Sequence, residues 1–207
     1  MVFNDFRLYR NDESVELTDN RLNVSNDHVA IEFKNFKLSE ILNYLNPKEE
    51  LAKGNLNGTL VLVEPFGNMG FLADLSVKEL NLLDVDLGTL TVNAKSKGEN
   101  TYDFDLSLKE GEVDLDLNGD YVAVPNDAKF NLNLDIKDFK MHALDGFSMG
   151  EIKDAKGSFS GKFIISGSAK KPIYNGNLHF NNADLTVSKL NAPFTLVIIR
   201  CFTLKAI

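Results

Sequence analysis

Cysteine is almost missing from this chain. Cys201 stands alone among 207 residues, which excludes an intramolecular disulfide and any cysteine-based zinc site. A long apolar run is missing too: the greasiest local stretch, Leu196–Ile199, falls far short of the roughly 20 residues that span a bilayer as a helix. The opening residues, Met1-Val-Phe-Asn-Asp-Phe, lack the basic and apolar regions of a signal peptide. Phe3, Phe6 and Leu8 instead read as a strand already under way, as in a piece of something longer whose anchor or export signal lies outside it. There is no basic excess. A net charge of −8 speaks against nucleic acid and anionic membrane surfaces as main partners, because both need a basic stripe. Acidic balance in a β-rich chain serves solubility and edge protection.

What the chain has in abundance is alternation. Tyr102, Phe104, Leu106 and Leu108 alternate with Asp103, Asp105, Ser107 and Lys109. Val113, Leu115 and Leu117 alternate with Asp114, Asp116 and Asn118, and Phe130, Leu132, Leu134 and Ile136 with Asn131, Asn133 and Asp135. Successive side chains of a strand point to opposite faces, so each segment makes one apolar face and one wet face. The fold class expected is all-β. Only Leu38, Ile41, Leu42 and Leu45 recur at helical spacing, with Ser39 near the start and Pro47 at the end, and these predict one short helix near 38–46. A sheet with so little helix to cover it must close on itself or hold an apolar ligand.

Shorter strands are expected at Phe6–Leu8, Val15–Leu17, Leu22–Val24, Val29–Phe33, Leu72–Val77, Leu80–Leu83 and Leu90–Ala94. Residues Met141–Ile152 read as a loop or a single helical turn. Beyond them, strands are expected at Phe159, Phe163–Ile165, Leu178–Phe180, Leu185–Val187 and Phe194–Ile199. One internal echo is visible: Gly54-x-Leu56-x-Gly58-x-Leu60-x-Leu62 returns 103 residues later as Gly157-x-Phe-x-Gly161-x-Phe163-x-Ile165. Each copy is followed by a proline and another strand, so the chain divides into strands (1–36), a helix (37–47), a first repeat-like unit (54–156), a second (157–196) and an atypical tail (197–207). Glycine at alternate strand positions marks a bend or a close approach of backbone.

No catalytic constellation is visible. His28, His142 and His179 are scattered, and His179, between Leu178 and Phe180, belongs to a wet face. Asp103, Asp105, Asp114 and Asp116 are spaced as solvated strand positions rather than as a paired acid and base. Asp84-Val-Asp86 and Asp114-Leu-Asp116 lack the turn glycine and closing glutamate of a calcium loop. No cofactor or metal is expected, and no enzyme.

The run Gly157-Ser-Phe-Ser-Gly-Lys-Phe-Ile-Ile-Ser-Gly167, continuing through Pro172, Gly176-Asn-Leu-His-Phe180-Asn-Asn-Ala183 to Leu190-Asn, resembles the C-terminal, DUF490-type region of the TamB family. The earlier helix followed by Gly54-Asn-Leu-Asn-Gly-Thr-Leu also looks like that family and the wider AsmA-like group, and the composition resembles its Bacteroidetes versions. The resemblance covers roughly residues 20–196. It implies an elongated, curved, solenoid-like sheet, a half-pipe or β-taco with an apolar concave groove. It also implies a periplasmic place, with an inner-membrane anchor outside this chain, and transport of phospholipid between the two membranes, assembly of outer-membrane proteins, or both. Its expected partners are phospholipid acyl chains, an outer-membrane barrel of the TamA/BamA type met through a segment missing here, and nascent outer-membrane proteins, with no nucleic acid. The groove would be lined by Leu56, Leu60, Leu62, Tyr102, Phe104, Leu106, Leu108, Leu115, Leu117, Phe130, Leu132, Leu134 and Ile136. Phe163, Ile165, Leu178, Phe180, Leu185 and Val187 would extend it. After Leu196 the sequence departs from the family, which turns there through an acidic loop. Periodicity alone favours a dry sandwich, an exported scaffold or adhesin with nothing bound; the resemblance favours the open groove.

Overall fold

The computed structural model describes residues 6–19, 27–45, 52–67, 69–98, 100–196 and 202–205. The expected strand Leu22–Val24, Phe3 and Cys201 lie outside these. The described chain is a single antiparallel sheet laid down in sequence order. Its strands are β1 (Phe6–Arg10), β2 (Glu13–Thr18), β3 (His28–Lys37), β4 (Ala52–Val63), β5 (Gly70–Leu82) and β6 (Val85–Ser96). They continue as β7 (Thr101–Lys109), β8 (Val113–Val124), β9 (Asp127–Lys140), β10 (Ile152–Ser168), β11 (Pro172–Val187) and β12 (Ala192–Leu196). A last strand, β13 (Phe202–Lys205), pairs with the first half of β11 while β12 pairs with its second half, so the two share one edge. Among the described residues β1 does not pair with β12 or β13, and the sheet is open rather than a barrel.

The expected helix is α1 (Leu38–Leu45), between β3 and β4. The loose stretch after Met141 contains a second, α2 (Ala143–Phe147), between β9 and β10. No helix among the described residues is long and apolar enough to cross a membrane.

Two expectations about strands are corrected. Leu72–Val77 and Leu80–Leu83 are not separate strands: β5 runs through both with a bulge between Val77 and Leu80, and Leu83 lies in the following turn at φ 51°. Leu178–Phe180 and Leu185–Val187 likewise belong to one 16-residue strand. A bulge inserts one residue, so the alternation resumes out of phase and the segment looks broken in sequence.

The register shifts fall in six strand pairs, β3/β4, β4/β5, β5/β6, β8/β9, β9/β10 and β10/β11. Every one lies toward the end of the sheet that carries α1 and α2. Bulges bend the strands that carry them, so these strands bend in the same place.

The echo around Gly54 and Gly157 is part of a larger duplication. Phe36 pairs with Leu56 and Phe33 with Gly58; 103 residues on, Phe139 pairs with Phe159 and Ile136 with Gly161. Lys53 pairs with Asn81 and Asn55 with Lys78; 103 residues on, Lys156 pairs with Asp184 and Ser158 with Asn181. Even the bulges repeat, with Glu79 at φ 54° and Asn182 at φ 48°. The likeness extends backwards at a spacing of 100. Phe6 pairs with Leu17 and Leu8 with Val15, as Leu106 pairs with Leu117 and Leu108 with Leu115. The described chain is therefore two successive units, β1–β6 and β7–β13, with β12 and β13 together in the sixth place and a short helix between the third and fourth strands of each. Gly54 and Gly157 are equivalent points inside these units, not their starts.

Candidate functional site

The register defines two faces. On one, hydrogen-bonded neighbours from β2 to β11 run Val15, Phe33, Gly58, Leu75, Val92, Leu106, Leu117, Leu134, Phe163, Gly176. The next row on that face is Leu17, Ile31, Leu60, Ala73, Ala94, Phe104, Gly119, Leu132, Ile165, Tyr174. Flanking them are Phe36, Leu56, Val77, Leu90, Leu108, Leu115, Ile136, Gly161, Leu178 toward the helices. On the other side lie Val29, Leu62, Phe71, Ser96, Tyr102, Tyr121, Phe130. No charge interrupts any row. Nine inter-strand steps of about 4.8 Å make this face about 43 Å long across the strands.

The expected lining residues from Leu56 to Leu178 all belong to these rows. Phe180 follows Leu178 on the same face, and beyond the bulge Leu185, like Phe180 and Phe159, packs against the buried cluster of Met141, Ala155 and Ala183; Val187 follows at a period of two. The lining expectation left out Phe33, Leu75, Val77, Leu90 and Val92, which join the two halves of the face. Their signal was present, in the alternations Phe71-Ala73-Leu75-Val77 and Leu90-Val92-Ala94.

Burial along this face is uneven. At the helix-bearing end, Leu56, Val77, Leu108, Val113 and Ala143 form a sealed cluster, and Met141, Ala155 and Ala183 form a second. Gly146 of α2 sits so close to the β5–β6 turn that a Cβ there would meet the Leu83 carbonyl oxygen at 2.8 Å. Phe139 stacks on Phe159 at 4.5 Å between centroids, and Phe159 meets Phe180 edge-on at 5.9 Å. The middle rows are different: Phe104, Leu106, Leu117, Leu132, Leu134 and Phe163 are only half-buried. In a dry sandwich a second layer would seal them. The far end carries an aromatic row, with Phe71 stacked on Tyr102 at 5.3 Å and Tyr102 beside Tyr121 at 5.9 Å.

The opposite face is mostly polar, although Ala30 and Val61 are buried on it beside Thr59. One row reads Glu16, Glu32, Thr59, Asp74, Asn93, Asp105, Asn118, Asn133 before Ile164 and Asn175. Cross-strand ion pairs lace it: Lys97 Nζ reaches Asp103 at 3.1 Å and Asp120 at 3.2 Å, and Lys162 reaches Asp135 at 3.1 Å. The lysine's bonds to Asp103 and Asp120 raise its pKa. Asp116 is bonded to Lys137 and lies 3.7 Å from Lys109, and its pKa is lowered, first by the Lys137 bond. Open hollows of about 880 Å³ and 530 Å³ lie over this wet face, the larger bounded by Asp74, Asn93, Asp105 and Asn118. His179 is exposed there, as expected. Asp114 departs from expectation: it is half-buried, and its Oδ1 is out of reach of solvent without a hydrogen-bond partner. Among the described residues, no three metal-ligating side chains cluster.

No family model, no curated protein and no solved structure matches this chain. The fold and the two-faced sheet define the class: an open, all-β antiparallel array with one apolar and one polar face.

Proposed function

We propose that this chain is a slice of an apolar trough that holds phospholipid acyl chains on their way between the two membranes of a Gram-negative envelope, as the TamB-like group it resembles is viewed to do. The reading places it in the periplasm, with both the membrane anchor and the segment that meets an outer-membrane barrel lying outside this chain. One observation carries it: four charge-free rows cross up to ten strands, and the middle ones are left half-buried, with no second layer over them among the described residues. The bulges at the helix-bearing end bend the sheet, while the two larger hollows lie over the wet face rather than over these rows. Each methylene buried against such a face is worth about 0.8 kcal/mol, so an acyl tail binds without directional contacts.

The test is mass spectrometry of organic extracts from the purified protein, with a photo-crosslinking residue in place of Leu117. Co-purifying phospholipid, crosslinked at that position, supports the reading. Crosslinks to unfolded outer-membrane strands instead would assign the same face to protein assembly. Protein that neither carries nor takes up phospholipid is a scaffold, and the reading fails.

A further inference from the structure

We infer that the larger hollow on the wet face is a binding site for a linear polyamine, an alkyl chain carrying several protonated nitrogens. The hollow, of about 880 Å³, is bounded by residues of β4 to β9, so it lies inside the sheet and owes nothing to its edges. It is on the face opposite the apolar rows and stands whether or not those rows hold lipid. One row crosses it through Thr59↔Asp74, Asp74↔Asn93 and Asn93↔Asp105. The charges around that row are unevenly matched. Lys97 joins Asp103 and Asp120 at 3.1 and 3.2 Å, and Lys95 lies 3.9 Å from Asp103. Asp74 and Asp105 meet no cation among the described residues. Thr59 is a separate mark of a ligand. It is 9% exposed, it lines the hollow, and its hydroxyl has no hydrogen-bond partner among the described residues. A buried hydroxyl is ordinarily hydrogen-bonded, and a donor or acceptor brought by a ligand completes this one.

The chemistry of the occupant follows from these groups. Two unpaired carboxylates repel anions and accept hydrogen bonds from cationic donors. They stand two strand steps, about 10 Å, apart. That is too far to share one metal ion, and no three ligating side chains cluster among the described residues. The spacing suits two cationic groups of a single molecule, with the Asn93 carboxamide oxygen between them to accept from a third. Leu72, 41% exposed, is the partner of Val61 in the next row of the hollow. It offers apolar surface to methylenes lying beside the carboxylates. The nitrogens of a linear triamine recur at close to the strand spacing of about 4.8 Å, with methylenes between them, so such a molecule meets both demands. An inorganic cation would use the carboxylates and leave Leu72 and Thr59 unengaged.

Isothermal titration with spermidine at about 0.15 M ionic strength, where diffuse attraction is screened, tests the inference. The unaltered chain should bind one equivalent saturably. Asp74→Asn combined with Asp105→Asn should weaken binding about tenfold or more, and Thr59→Val, which changes no charge, about threefold. Asp12→Asn combined with Asp154→Asn removes the same charge outside the hollow and should leave the affinity unchanged. Asp74 and Asp105 are exposed and unpaired, so their replacement should keep the circular dichroism and unfolding midpoint of the unaltered chain. No saturable binding by the unaltered chain overturns the inference, as do equal losses in the two charge pairs or undiminished binding by Thr59→Val. Nuclear magnetic resonance of the unaltered chain reads the same site without substitutions. Spermidine should shift the amides of Thr59, Asp74, Asn93 and Asp105 and leave those of Asp154 and Asp184 in place. Shifts spread evenly over the acidic residues would overturn it too.

Discussion

Gly58 and Gly161 stand at the same place in the two units, and at both a Cβ would collide with the neighbouring strand. It would lie 2.1 Å from the Asp74 carbonyl oxygen at Gly58 and 2.3 Å from that of Asn177 at Gly161. The obstacle is backbone in a paired strand, which has no way to yield without breaking the ladder. Gly58→Ala and Gly161→Ala should each cost about 2–4 kcal/mol in denaturant unfolding. Gly150 has a positive φ of 87°, as Gly58 has one of 115° and Gly161 has none, but nothing lies within 4 Å of its Cβ position, so Gly150→Ala should cost only about 1–2 kcal/mol. Equal losses at Gly58 and Gly150 would mean that conformation alone, not close approach, selects glycine at Gly58.

How much of this was readable in the sequence depended on whether the period of two survived. From Tyr102 to Ile136 it is unbroken, since a half-solvated sheet writes its faces directly into alternation. It failed at bulges: Phe180, Ala183 and Leu185 lie together although the first step between them is odd, so β11 looked like two strands. α2 has five residues including Gly146, too few to show a helical period. The duplication showed only as a glycine echo, because most equivalent positions share polarity rather than identity. Which side of the sheet is hollow was not legible, since register sets faces and not curvature.

Met141 and Leu117 separate a sealed core from an open face. Met141 is 1% exposed within the cluster that holds Ala155 and Ala183, and Met141→Ala should cost about 2–5 kcal/mol. Leu117 is half-buried in the middle of the apolar face, and Leu117→Ala should cost about 1 kcal/mol by lost area alone. Chemical denaturation checks both. A Leu117 loss as large as that of Met141 would show that a second layer seals this face.

The wet face should respond to acid through Asp116. Its carboxyl is held below the ordinary value by the Lys137 bond and the nearby Lys109. A depressed folded pKa gives stability that is complete above the unfolded value of about 3.9 and lost as pH falls through the folded one. Asp116→Asn should therefore lower stability by less than about 1 kcal/mol at pH 7, since both lysines are exposed. That difference should vanish at a pH low enough to protonate the carboxyl in the folded chain. A difference that persists there would mean the substitution acts through something other than the charge.

Phe104 and Leu132 lie in one row of the apolar face, two strands apart with Gly119 between them. Leu132→Asp and Phe104→Asp place a carboxylate on that face, with Asn133→Asp on the wet face as control. A half-buried position lets the carboxylate keep part of its hydration, whereas a sealed core imposes a cost of several kcal/mol. The trough reading expects both variants to fold, by circular dichroism and denaturant midpoint, and to lose most of their bound phospholipid, while the control keeps it. Unfolding of both would make the face a closed core. Folded variants that still carry phospholipid would mean that the apolar face is not the surface that binds it.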